Sequence, residues 1–202
     1  MKQIFQGLIL CLSFLGFACS GDVMHKPLPD EKQLDEAIVN TLKLGSFTAV
    51  FKSDTATIPF STRIVPYVFR PEKVFKTRQP AGSFGSIYLD TFYDSENNEG
   101  PDKSKLFSDD DTIYFKRQIE SFKERNVDET LFTTIKLAGY DSIQKLGLPF
   151  YKVNQPLFSA DQQRIFVEID HYYYGGGWGQ GIVLTKEKGQ WVLTKSWKIW
   201  GI

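Results

Sequence analysis

The chain has only two cysteines in 202 residues, Cys11 and Cys19, and both fall within the first nineteen positions. No disulfide can brace the rest of the chain, and no cysteine nucleophile is available there. Histidine is as scarce, at His25 and His171, so no zinc site and no other metal is expected. Basic and acidic residues balance, 24 against 24. That balance lacks the excess of positive charge that nucleic acid demands, and nucleic acid is excluded as a partner. Also missing are a GxSxG nucleophile elbow, an HExxH pair and a phosphate-binding glycine motif. No cofactor is expected.

What is present begins at the amino terminus. Lys2 precedes an apolar run from Ile4 to Phe17 that only Gln6 and Ser13 interrupt. The run is shorter than the ~20 residues of a membrane-spanning helix and suits the core of a signal peptide. It closes on Gly16-Phe17-Ala18-Cys19, with small residues three places and one place before the cysteine. Two readings stay open. In one, cleavage after Ala18 releases a soluble secreted or periplasmic protein. In the other, Cys19 becomes the lipid-bearing first residue of a bacterial lipoprotein, although Gly16 stands where such signals usually carry leucine. Lipidation would also remove an unpaired thiol from an oxidising compartment. The expected arrangement is a signal peptide over 1–18, a tether over 19–30 and one domain over 31–202. The expected location is the bacterial cell envelope, with the membrane as partner through a lipid on Cys19.

The domain reads as α+β. Asp30 can cap a helix on which Leu34, Ile38 and Leu42 share a face, with Gly45 as its stop. Residues 46–93 look extended, with Pro59, Pro66, Pro71 and Pro80 as punctuation. Asp94, Glu96 and Asn98 are spaced like the start of a calcium loop, but Glu99 and Lys105 occupy its glycine and glutamate positions. A solvated loop is expected over 94–105. Ser108 caps a second helix, with Asp109, Asp110 and Asp111 in its first turn and Phe115, Ile119 and Phe122 on its apolar face. From residue 165 onward the alternation is that of strands, and Lys188-Gly189 marks a hairpin. The expected architecture places both helices on one face of a curved antiparallel sheet that ends in a β-meander.

Three stretches resemble an uncharacterised family of small bacterial exported proteins and lipoproteins. They are Asp111 to Glu120, Gln155-Pro156-Leu157-Phe158-Ser159, and Ile165 to Ile202. The family pattern has paired tyrosines, a Cys-Gly-x-x-Cys-Gly-x-Gly loop, a hairpin with Gly-Lys-Trp and a final tryptophan. Here Tyr172-Tyr173, Gly189-Gln190-Trp191 and Trp200 stand in those places, while Tyr174 and Trp178 replace the two cysteines. The element order is also similar to the cone-shaped sheets of the nuclear-transport-factor-2-like superfamily. Neither resemblance implies a particular activity.

Two kinds of function fit these residues. The glycine-rich segment 175–181 is expected to form a wide turn or a flexible rim presenting Tyr174 and Trp178, next to Tyr172, to a protein partner or small ligand. That reading makes the domain a non-enzymatic binding module. The alternative is a pocket protein, a ligand carrier or a hydrolase or isomerase, using Glu168, Asp170 and His171. Strand parity puts His171 with Ile165, Val167 and Ile169, towards the core, and puts Glu168 and Asp170 on the opposite face. That opposite face would either line a cavity or meet solvent.

Overall fold

A computed structural model of the chain describes residues 23–44, 58–64, 66–69, 86–87, 106–132 and 136–201. The signal peptide, Cys19, Gly45, the strand expected over 47–52 and the loop over 94–105 lie outside the described residues.

Alternating side chains make the carboxy-terminal meander. Strand β9 (Arg164–Tyr173) pairs antiparallel with β10 (Gly176–Glu187), which pairs antiparallel with β11 (Gln190–Gly201). Lys188 (φ 50°) and Gly189 (φ 83°) turn the second hairpin through left-handed backbone, as the dipeptide predicts. Beyond β9 the sheet continues through β7 (Phe150–Val153), β1 (Phe60–Ser61) and β6 (Leu137–Ala138), and β8 (Leu157–Phe158) also pairs with β9. The fold is α+β, but the sheet is mixed and not wholly antiparallel. β1 runs parallel to both β6 and β7. β6 and β7 flank β1 and run parallel to it, so the chain crosses over between them, and helix α3 (Tyr140–Leu146) lies in that connection. Two short pairs lie apart, β2 (Arg63–Ile64) with β5 (Arg125–Asn126), and β3 (Val68–Phe69) with β4 (Ser86–Ile87).

Helix α1 (Glu31–Leu44) starts at a reciprocal cap. The Gln33 N–H donates to Asp30 Oδ1 (2.8 Å) and the Asp30 N–H to Gln33 Oε1 (2.9 Å). Leu34, Ile38 and Leu42 are buried, as their spacing predicts. Arg125 locks this helix to β5 by donating to both Asp35 carboxylate oxygens (2.6 and 3.2 Å). Helix α2 (Asp109–Ser121) begins at Ser108 with a full capping box. The acidic triplet has a structural use: Asp111 Oδ2 accepts from Ser108 N–H (2.8 Å), and its Oδ1 from Ala160 N–H (2.7 Å).

Both long helices contribute to the larger apolar cluster on one side of the sheet. α1 packs with Ile165, Val167, Ile169, Ile182 and Leu184 in the larger apolar cluster. α2 lies along β8 and divides its residues, sending Tyr114 to that cluster and Phe115 and Ile119 to a second one with Tyr67, Phe107, Phe166, Val183 and Trp197. The segment from Val23 to Pro27, expected as part of a tether, is docked on the domain. Val23 is buried, Arg117 donates to the Val23 and Lys26 carbonyls, and Tyr114 donates to the Pro27 carbonyl. Lys26 Nζ donates to the Ala160 carbonyl (3.0 Å). Prolines and low apolar content read as free chain, yet backbone carbonyls of this segment are what α2 holds.

At Gly181 a Cβ would meet the Trp197 ring at 2.9 Å. Gly181→Ala is expected to lower stability by about 1–3 kcal/mol, because an indole wedged between strands cannot retreat cheaply. A urea titration followed by tryptophan fluorescence measures it. An unchanged midpoint would show that the ring moves freely.

Candidate functional site

The parity of β9 separates its residues as the sequence predicts, but its polar face is closed. Glu168 is 6% exposed and Asp170 1%. Alternation cannot reveal what covers a face, and here the second apolar cluster, with Phe166 and Trp197 as members, lies on that side. The two carboxylates therefore sit inside the protein and need partners.

The neighbouring strand provides them. Lys152 of β7 lies opposite Asp170 and is 4% exposed. Asn154, fully buried, donates its amide to Asp170 Oδ2 (3.2 Å), and the Tyr172 hydroxyl donates to the same oxygen (3.1 Å). Tyr67 brings its buried hydroxyl beside Glu168. Burial, then the charge of Asp170, pushes the Glu168 carboxyl well above the ordinary carboxylate range, and Lys152 and Asn154 offset only part of this. Burial lowers the Lys152 ammonium, against the opposing pull of Asp170 and Glu168. Burial and the Asp170 charge raise Tyr172. The cluster thus favours a proton on Glu168.

Strand β10 shapes the floor. Gly177, Gly179 and Gly181 lie opposite Tyr172, Asp170 and Glu168. Three glycines at alternate positions leave this side of β10 without side chains from Gly177 to Gly181. The glycine-rich segment is thus strand, not a wide turn or a flexible rim. Only Tyr174 and Gly175 form the turn, and Gly175 (φ 84°) is the one member with left-handed backbone. Glycine reads as loop in sequence, whereas here the Trp197 ring demands it at Gly181.

His171 is not part of this cluster. Its ring lies on the other face, stacked on Tyr151 (4.5 Å between centroids) and flanked by Trp178 and Tyr173 (5.5 Å each). Trp178 is half-buried and meets Tyr151 edge-on at 6.1 Å. Tyr174 is 99% exposed and Tyr173 43%. The expected site residues thus divide three ways. Tyr172 and Asp170 belong to the buried cluster, His171 and Trp178 to an aromatic stack, and Tyr174 to the hairpin tip. Sequence reading missed Lys152, Asn154 and Tyr67. The one signal was a lone lysine within the apolar run Phe150-Tyr151-Lys152-Val153, all four of which are buried.

Chemically, the cluster can hold and share a proton away from water. It cannot act on an outside substrate from a closed face, since a general acid must reach the group it protonates. No helix among the described residues is long and apolar enough to cross a membrane.

Glu168 keeps its proton to higher pH in the fold than when unfolded. Its contribution to stability is complete below the ordinary value of 4.5 and is lost as pH rises through the raised folded value. Denaturant unfolding from about pH 4 to about pH 9 should show wild-type stability declining relative to Glu168→Gln, with the variant about 1 kcal/mol the more stable at neutral pH. Parallel curves for the two proteins would refute the raised proton affinity.

No family model matches the chain, and no curated protein or solved structure matches it.

Proposed function

We propose that the chain is an exported protein of the bacterial cell envelope, held by a lipid on Cys19, whose domain is a non-enzymatic binding module. The carrying observation is the tip of the β9–β10 hairpin. Tyr174 is 99% exposed there, beside the 43% exposed Tyr173. The base of that tip is stiff, because Tyr151, His171 and Trp178 stack beneath it. An exposed tyrosine on a rigid base gives a partner contact area at low entropic cost. The pocket reading through Glu168, Asp170 and His171 has less support, since His171 lies across the sheet from both carboxylates and the carboxylates are closed off.

Both parts of the reading have direct tests. A photoreactive phenylalanine derivative at position 174 should yield one discrete adduct in intact cells. The same probe at Lys188, in the other hairpin turn, should yield none, and Tyr173→Ser should weaken the adduct. Equal labelling from both turns would reject the tip as a contact. For the anchor, Cys19→Ser should move the protein from the membrane fraction to the soluble one. If the wild type carries no lipid by intact mass, or if the variant stays in the membrane fraction, tethering through Cys19 is wrong.

A further inference from the structure

Cys19 stands only four positions before Val23. Four residues reach at most about 14 Å, even fully extended. Val23 is buried and opens a short 3-10 helix, Val23–His25. From there to Pro27 the backbone is clamped to the domain. Arg117 holds the Val23 and Lys26 carbonyls, Tyr114 holds the Pro27 carbonyl, and Lys26 Nζ reaches the Ala160 carbonyl. The domain therefore has no long leash. A membrane reached through Cys19 lies within a short arm of this one place on its surface.

The hairpin tip is far from that place. Ala160 lies in the turn between β8 and β9, which the Ser159 N–H closes by donating to the Arg164 carbonyl (2.9 Å). β9 then runs ten residues to Tyr173, about 30 Å at the rise of a strand. The docked segment and the tip thus sit towards opposite ends of β9, and the arm is about half as long as the strand. Beside the root of the arm, Met24 is 58% exposed. An unbranched apolar side chain held in water one residue from the fixed point is what a lipid surface can cover. Charge does not draw this part of the molecule to a bilayer. On α2 the exposed Lys116 is paired with Glu120 (3.8 Å), and Asp109 and Asp110 are exposed at its start.

We propose that the surface around Val23–His25 rests against the headgroup layer of the bilayer, with Met24 entering it and the hairpin tip pointing away from the membrane. This placement rests on the lipid at Cys19 proposed above. The clamped segment acts as a mount: it fixes which side of the domain meets lipid and leaves Tyr173 and Tyr174 clear for a partner in the aqueous space. One methionine binds a bilayer weakly by itself, so the short arm sustains the contact by keeping the lipid surface at high local concentration. The contact is apolar, and a zwitterionic bilayer is sufficient for it.

The test supplies the lipid chemically, so its failure is distinct from a failure of cells to lipidate Cys19, which intact mass reads. The mature chain, whose only thiol is Cys19, is coupled to maleimide-bearing phosphatidylethanolamine in phosphatidylcholine vesicles. The control is the same chain coupled to polyethylene glycol. Hydroxyl-radical oxidation is then mapped by peptide mass spectrometry, and Met24 is the only methionine in the mature chain. On vesicles Met24 should lose most of its oxidation relative to the control, while Tyr173 and Tyr174 should oxidise as before. A long Gly-Ser insertion between Asp22 and Val23 leaves the clamped segment intact and dilutes the bilayer around it, so oxidation of Met24 should return. Equal oxidation of Met24 on vesicles and polyethylene glycol, protection of Tyr174, or protection of Met24 that survives the insertion overturns the proposal.

Discussion

Strand β9 is enclosed on both faces, and most of the molecule is arranged to make that tolerable. Ile165, Val167 and Ile169 meet the α1 cluster on one side. Phe166, Glu168 and Asp170 face the other, and Phe166 packs there with Trp197 (5.9 Å, stacked). A two-sided cover on a strand with two acidic side chains forces each of them to find company inside. β7 must therefore sit beside β9 in the register that brings Lys152 to Asp170 and Asn154 next to it. β10 must lack side chains where the Trp197 ring passes, and Gly181 meets that need. α2 must reach along β8 to complete the cover with Phe115 and Ile119.

Local signals were legible where one residue type has one physical reason to be placed. Asp30 and Ser108 start their helices because their side chains accept orphan N–H groups. Lys188-Gly189 turns because glycine tolerates left-handed backbone. The alternation along β9 gave its two faces correctly. The failures share a cause. β1 and β6 are two residues each and pair in parallel with distant partners, so no period exists to detect. α3 spans only seven residues. The glycine segment was misread because composition speaks of the backbone's freedom and not of the indole that lies across it. The closed polar face was unreadable for the same reason, since its cover comes from residues far away in sequence.

That closure also decides how the candidate site is divided. Parity alone keeps His171 from Glu168 and Asp170, because neighbours on a strand point to opposite faces. A triad of the three would need the strand to twist through its own plane. What parity leaves exposed is the end of the hairpin, where the strand outruns its cover. The burial along β9 shows this gradient: fully enclosed from Ile165 to Asp170, half-covered at His171 and Tyr172, exposed at Tyr173 and Tyr174. The exposure of the tip follows from the length of the hairpin relative to the body beneath it.

The buried charges add specificity to the sheet at a cost in stability. Buried ion clusters are often no more stabilising than apolar residues of equal size. Their effect on alternatives is larger. Sliding β9 by one residue would turn Glu168 and Asp170 towards the apolar residues of α1 and leave Lys152 buried without its counter-charge. It would also bring the apolar side chains of Val167 and Ile169, now packed in the α1 cluster, against the Lys152 ammonium. Each error strands a charge in low dielectric, whereas an all-apolar β9 would tolerate the slip. The cluster thus favours the one β7–β9 register in which the aromatic stack of Tyr151, His171 and Trp178 forms beneath the tip. The inner polar face and the outer aromatic tip are therefore two consequences of a single strand alignment.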